Sequence, residues 1–237
     1  MPERKGPKWA DISEIIAIVA SILLAFAIDA WWDEWQEARE AREILVDLRE
    51  EFRAVGAELA VREGEWQAAE ASMARLLRAA DAGEAPPPAV MDTLLHHLTW
   101  TSTFDPGSGA LEALLSSGRL EWIEDLELRT ALAGWPGVIE EIRDNEEMGR
   151  EFVTLVLEPY LARQGVPLSR VLLMDREWPV PSVRDPEAAE AYRRLMADPE
   201  FHAHVAYRYS WVNVDEYQEG AASLARLMER LEGTLDR

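Results

Sequence analysis

Cysteine is absent from the 237 residues, and lysine is almost absent. The lack of cysteine excludes disulfides, thiol catalysis and cysteine-bound zinc. Lysine occurs only at Lys5 and Lys8, and the formal net charge is −21. Nucleic-acid binding requires clustered Lys and Arg side chains. The composition therefore argues against nucleic acid as a partner, and against a protein that lies flat on an anionic membrane.

Catalytic motifs are missing as well. The sequence contains neither G-x-x-x-x-G-K-[ST] nor G-x-G-x-x-G, so nucleotide binding has no support. Ser108 lies in DPGSGAL, but this is not the G-x-S-x-G of a nucleophile elbow, and a helix N-cap is the better interpretation. We expect no enzymatic activity and no cofactor. A hydrolase or a metal-dependent enzyme is the remote alternative.

The four histidines form two pairs, His96-His97 and His202-x-His204. Asp92 precedes His96 by four residues, which places the two side chains on one face of a helix. A metal site would require the two pairs to meet in space, and the ligand spacing of known zinc motifs is absent. We therefore predict ordinary histidines and no metal ligands.

The sequence does contain one long apolar run, residues 12–32 (ISEIIAIVASILLAFAIDAWW). As a helix it would be about 31 Å long, which matches the hydrocarbon thickness of a bilayer. Glu14 and Asp29 lie near its ends, and no charged residue lies between Ile15 and Ile28. Carboxylates at such positions can reach the headgroup layer. The run predicts a single transmembrane helix with the lipid bilayer as its partner.

Two features flank this run. Trp31, Trp32 and Trp35 end it, and tryptophan favours the membrane–water interface. A basic cluster within residues 1–11 precedes it, and basic flanks stay in the cytoplasm. We therefore expect a cytoplasmic basic tail at residues 1–11 and an extracytoplasmic chain from Asp33 onward.

Two alternatives for the run stay open. Ala25-Phe26-Ala27 fits the A-x-A cleavage site of a signal peptide that follows a basic start. The part without any charge, Ile15–Ile28, is 14 residues long, which would also suit a buried helix of a soluble protein. The basic flank and the tryptophan cluster favour the membrane span over both.

One face of the predicted span carries small and acidic residues, here called the stripe: Glu14, Ala17, Ser21, Ala25 and Asp29. At 100° per residue they share an arc of about 120°. Small residues four apart let helix backbones approach closely. We predict that the protein is a homo-oligomer that associates through the stripe. The alternative function is a small homo-oligomeric cation channel with the acidic residues at the pore mouths.

Beyond the span, apolar residues recur every three or four positions. This pattern predicts a long amphipathic helix over residues 33–80 that continues from the span. Its partner is either a helix of the same chain or a second chain in a coiled coil. Glu51 lies just off this seam, so we expect it to tolerate alanine. The seam is formed by Leu45, Leu48, Phe52, Val55, Leu59, Arg62, Trp66, Ala69, Met73 and Leu76.

The rest of the chain predicts an all-α fold, because no alternation of period two is long enough for a sheet. Residues 81–88 are rich in proline and form a connection, and residues 89–237 form a helical bundle domain that packs with residues 33–80. Asp125, Asp185 and Asp198 are expected N-caps, and Gly118 is an expected helix end. Expected helices cover residues 89–98, 109–117, 126–135, 138–162 and 199–235, with a break or kink at Gly134-Trp135-Pro136-Gly137 and a short strand or helix at 171–174.

Two segments resemble an uncharacterised bacterial family of small single-span membrane proteins. The first runs from Lys8 through Glu14 and Ile15–Ile28 to the acid- and tryptophan-containing exit at residues 29–34. The second is TFDPGSGALEALLSSGRLEWIEDLELRTAL, residues 103–132. The resemblance implies a membrane anchor and a helical domain and supplies no activity. We expect a membrane-anchored structural or interaction module, single-pass in the bacterial inner (cytoplasmic) membrane.

Overall fold

The computed structural model describes residues 9–174, 185–212 and 214–236, with side chains from residue 17 onward. Within these ranges the chain forms helices joined by loops and contains no strand, so the all-α prediction is confirmed. Helix α1, Trp9–Asp81, has 73 residues and is about 110 Å long. The predicted continuity of the apolar run with the amphipathic segment is therefore confirmed as one unbroken helix.

The chain after α1 forms further helices. Their bounds are α2 Pro88–Thr99, α3 Gly109–Ser117, a 3-10 turn Arg119–Trp122, α4 Leu126–Phe152, a π-helical turn Val153–Leu157, α5 Glu158–Arg163, α6 Leu168–Leu172, α7 Asp185–Met196, α8 Pro199–Tyr209 and α9 Val214–Leu235. Residues 82–87 connect α1 to α2, as the proline-rich segment predicted. Helices α2, α3, α8 and α9 contact α1, α9 also contacts α4, and α6 and α7 contact α2.

The seam on α1 is buried at each of its apolar positions, which confirms the periodicity. Its charged position, Arg62, is half-buried, and its guanidinium lies 2.9 Å from the carboxylate of Glu65. The covering helices belong to the same chain. Of the two predicted arrangements, the structure therefore has the intramolecular bundle.

Helix α9 approaches α1 and α4 closely at Gly220. A Cβ atom there would lie 3.1 Å from Ile142 of α4 and 3.8 Å from Leu59 of α1. Such spacing leaves little room for a larger side chain. The three helices α1, α4 and α9 thus meet at this glycine and form the centre of the bundle.

Several helix ends agree with the sequence. Gly118 ends α3 with a φ of +73°, a conformation that glycine adopts without strain. The carboxylate of Asp125 accepts the backbone N–H groups of Glu127 and Leu128, each at 3.0 Å. The carboxylate of Asp198 accepts the N–H of Glu200 at 2.9 Å. These contacts confirm both aspartates as N-caps, and Asp185 is the first residue of α7.

Two local predictions are corrected, and one of two alternatives holds at a third place. Helix α4 continues through Pro136 without the predicted break, although proline in a helix costs about 3 kcal/mol. The Trp135 ring next to it is buried 5.8 Å from the Phe52 ring of α1, and this packing holds the helix in place. The predicted helix over residues 199–235 is two helices, since a turn at residues 210–211 separates α8 from α9. For residues 171–174, predicted as a short strand or helix, the helix is found, because α6 includes Val171 and Leu172.

Candidate functional site

The first half of α1 is an exposed apolar helix. Every side chain from Ala17 to Arg39 is exposed, including Phe26 at 66%. The rings of Trp32 and Trp35 lie 5.4 Å apart, and the Arg39 guanidinium lies 6.0 Å from the Trp35 ring centre. Within the residues that the structure describes, no helix has a stretch both long and apolar enough to cross a bilayer.

The stripe residues lie on this half of α1. Ala17, Ser21, Ala25 and Asp29 are exposed, and Glu14 lies in the part of α1 whose side chains are outside the described residues. The Ser21 hydroxyl donates to the carbonyl of Ile18 at 2.8 Å. The serine thus satisfies its donor within its own helix, and its small size is what it offers to a neighbouring helix.

A cleft of about 610 Å³ lies between the loop at residues 103–108 and helices α3 and α4. Its volume is within the range of small-ligand sites. Leu111, Leu115 and Ile139 contribute apolar surface to its lining. The carboxylates of Asp105, Glu112, Glu140, Asp144 and Glu147 also line it, and two arginines balance them in part.

Those two arginines make ion pairs inside the cleft. Arg143 lies 3.6 Å from the carboxylate of Asp105. Arg150 lies 2.8 Å from that of Glu147 and donates to the hydroxyl of Thr103 at 3.0 Å. The arginines therefore tie the loop to α4. The net charge of the lining is negative, since five carboxylates face two guanidinium groups.

Glu51 of α1 does not line the cleft, but it holds the start of α3 next to it. Its carboxylate accepts the backbone N–H groups of Ala110 at 2.7 Å and Leu111 at 3.2 Å, at the first turn of α3. The expectation that Glu51 tolerates alanine is therefore replaced by the opposite prediction, because the carboxylate supplies acceptors that the helix start lacks. Ser108 occupies the N-cap position, but its side chain accepts no backbone N–H; its hydroxyl donates to Glu112 at 2.5 Å.

Glu146 of α4 anchors the loop from inside. It is 2% exposed, and its carboxylate accepts the N–H of Phe104 at 2.7 Å and the hydroxyl of Tyr217. Burial raises the pKa of Glu146, although both hydrogen bonds oppose this effect. Burial also raises the pKa of Tyr217, so this hydroxyl stays a donor at neutral pH. The loop, α4 and α9 are thus joined at one buried carboxylate.

The histidine pair His96-His97 and the preceding Asp92 make structural contacts. Asp92 pairs with Arg170 at 2.6 Å and accepts the Tyr192 hydroxyl. His96 Nδ1 lies 2.8 Å from the carbonyl of Val171, and His97 Nδ1 lies 2.6 Å from the Ser72 hydroxyl. Among the described residues no cluster of three or more metal-ligating side chains occurs. Asp92 therefore acts as an ion-pair partner that joins α2, α6 and α7.

Arg208 of α8 is a buried cation that the sequence pattern did not reveal. It is fully buried, its guanidinium lies 5.0 Å from the Trp66 ring centre, and it donates to the carbonyl of Trp100 at 3.1 Å. Burial lowers the pKa of Arg208 to about 10. Gly149 permits this position, because a Cβ atom there would lie 3.0 Å from the guanidinium. The tryptophan face and the carbonyl make Arg208 a packing element between α1, α4 and α8.

Comparisons with protein-family models, curated proteins and solved structures found no match to this chain. The resemblance drawn from residues 8–34 and 103–132 stays a prediction. The second of these segments does have a structural role, because it supplies the loop and α3, which form one side of the cleft.

Proposed function

We propose that the protein is a membrane-anchored helical interaction module, with residues 12–32 as the anchor and the bundle outside the cytoplasm. The observation that carries the proposal is the burial contrast along α1. Side chains from Ala17 to Arg39 are exposed, and apolar residues dominate the first twelve of them. A helix that is apolar on all sides requires apolar surroundings, and lipid provides them.

Three further features support this arrangement. Trp31, Trp32 and Trp35 follow the apolar part and suit the interface. The basic residues before it favour a cytoplasmic N-terminus in a bacterial inner membrane. The proposed anchor begins in the part of α1 whose side chains lie outside the described residues, so its apolar character there is read from the sequence.

The bundle itself is built for recognition in this proposal. Its buried polar groups, Asp92, Glu146 and Arg208, hold helices together. A cleft with apolar and acidic lining fits binding of a partner. Anchoring such a domain on a long helix would present it at a fixed distance from the membrane.

A topology experiment tests the anchor. A periplasmic phosphatase fused after Arg237 should be active in intact bacteria, and the protein should resist alkaline extraction from membranes. Removing Lys5 and Lys8 while adding lysines after Trp35 should weaken this orientation. Release by alkali, or a fusion active only in the cytoplasm, would contradict the proposal.

Self-association is proposed to occur through the stripe. Because the chain lacks cysteine, single cysteines can be placed along α1 without background. Ser21→Cys should crosslink in membranes, and Leu23→Cys, on another face, should not. Replacing Ser21 and Ala25 by leucine should abolish the oligomer. Uniform crosslinking around the helix would remove the stripe as the interface.

The subunit number separates this module from the alternative channel. A stoichiometry measurement in nanodiscs should give a small oligomer without ion conductance. A ring of four or more subunits whose cation selectivity falls with Asp29→Asn would instead support a channel, since a ring of ionised carboxylates favours cations.

A further inference from the structure

We propose that the end of the bundle nearest the anchor docks on phospholipid headgroups through Trp122 and Leu126. This inference rests on the proposed membrane anchor. It concerns a second, separate contact with the bilayer, made by the folded domain and formed by the 3-10 turn Arg119–Trp122 and the start of α4.

The distance of this end from the anchor follows from one ion pair. Arg119 lies 3.6 Å from the carboxylate of Glu40 on α1. Glu40 comes five residues after Trp35, which is about 7.5 Å along an unbroken helix. The headgroup layer is roughly 5–7 Å thick on each side of the hydrocarbon. With Trp31 to Trp35 at the interface, the 3-10 turn therefore lies at the outer edge of the headgroups.

The start of α4 lies at nearly the same level. The Trp135 ring contacts that of Phe52 at 5.8 Å, and Leu126 is nine residues earlier on α4, or about 13 Å closer to the anchor. Membrane-spanning helices tilt by about 20° on average. If α1 tilts by this angle toward α4, whose axis we place about 10 Å to the side, α4 moves about 3 Å closer to the bilayer. The backbone at Leu126 would then lie about 9 Å beyond Trp35, just outside the headgroup layer, so that contact is made by the side chain.

The side chains at this end have the chemistry of an interface. The Arg119 guanidinium lies 4.9 Å from the Trp122 ring centre, so a cation and an amphipathic ring are presented together. Arginine binds phosphate oxygens, and tryptophan favours the headgroup level. Leu126 is 65% exposed although it begins a helix of the bundle. Exposed Glu121 and Glu124 next to them limit the contact to the headgroup layer.

Three single cysteines in the full chain test this contact and the anchor separately. Phe26→Cys lies in the proposed anchor, Leu126→Cys at the docking end, and Leu155→Cys on the π-helical turn far from the membrane, where the native leucine is 71% exposed. Each variant is labelled with a fluorophore and reconstituted in phosphatidylcholine vesicles that carry a nitroxide quencher on the headgroup or on the acyl chain.

We expect acyl-chain nitroxides to quench position 26, headgroup nitroxides to quench position 126, and neither to quench position 155. Quenching at 26 without quenching at 126 would overturn the docking and leave the anchor intact. No quenching at 26 would overturn the anchor and the docking with it. Adding Trp122→Glu to the Leu126→Cys variant should reduce quenching at 126, whereas adding Leu172→Glu, at the exposed last residue of α6, should not. Equal quenching at 126 in both double variants would also overturn the docking.

Discussion

The two halves of α1 share one secondary structure and have opposite surroundings. From Ala17 to Arg39 every side chain is exposed, whereas from Ala41 to Leu76 a buried position, or the half-buried Arg62, recurs every three or four residues. No interruption of the helix separates the halves. Continuity of the backbone therefore says nothing about burial. The arrangement of apolar residues decides whether a segment is buried by protein. Apolar residues on one face pack on other helices, whereas a helix that is apolar on all faces requires another apolar medium.

The largest expected effect comes from the same substitution in each half. Phe52→Ala should reduce the free energy of unfolding of the bundle by about 3–5 kcal/mol, since it leaves a cavity in the core. Phe26→Ala, at an exposed position, should leave that free energy unchanged within about 0.5 kcal/mol. Denaturant unfolding in mild detergent measures both. Similar losses at the two positions would mean that the first half also packs on the bundle.

A smaller effect is expected where the bundle half of α1 caps another helix. Glu51→Ala removes the acceptor of the Ala110 and Leu111 N–H groups, so we expect a loss of about 1–3 kcal/mol. Asp47→Ala, one turn earlier on the exposed side, is the control and should change stability by less than about 0.5 kcal/mol. A neutral Glu51→Ala would show that water replaces the carboxylate at the start of α3.

The buried carboxylate gives a pH-dependent prediction for the bundle alone. The pKa of Glu146 is raised in the folded state, so its contribution to stability is fully present below the unfolded pKa and is lost as the pH rises through the folded pKa. Glu146→Gln keeps an acceptor and a donor but does not ionise. The stability of this variant relative to the native chain should therefore increase from pH 4 to pH 8. A constant difference across this range would contradict the raised pKa.

The smallest effect is expected from an ion pair on the exposed half. Arg39 lies 3.2 Å from Glu43, and both side chains are largely exposed. Arg39→Ala should change the unfolding free energy by no more than about 0.5 kcal/mol, because solvent screens such pairs. A loss above 1 kcal/mol would indicate that this part of α1 makes contacts beyond its own helix.

Local patterns predicted what depends on neighbouring residues. The seam from Leu45 to Leu76 was predictable because burial on one helix face imposes its period on the sequence. The helix end at Gly118 and the cap at Asp198 were predictable because each needs a particular residue type at one position. The unbroken α4 was not, since the packing of Trp135 outweighs the local effect of Pro136.

The polar contacts that build the cleft could not be predicted, because their partners are far apart in sequence. Glu51 and Ala110 are separated by 59 residues, and Glu146 and Phe104 by 42. A glutamate among many in an acidic chain carries no local mark of such a role. The burial of Arg208 could not be predicted either, since nothing in the neighbouring sequence of α8 distinguishes it from an exposed arginine.

Because α1 is one unbroken helix, it fixes the angle around the helix axis between the side chains of its first half and those of its second half. At 100° per residue, the centre of the stripe at Ser21 and the centre of the buried seam differ by about 180° around the helix axis. The bundle therefore packs on the side of α1 that faces away from the stripe. In two copies joined along their stripes, the two bundles would lie on opposite, outer sides of the helix pair and would not collide. Inserting two residues between Trp35 and Glu40 would rotate each bundle by about 200° and swing it into its partner.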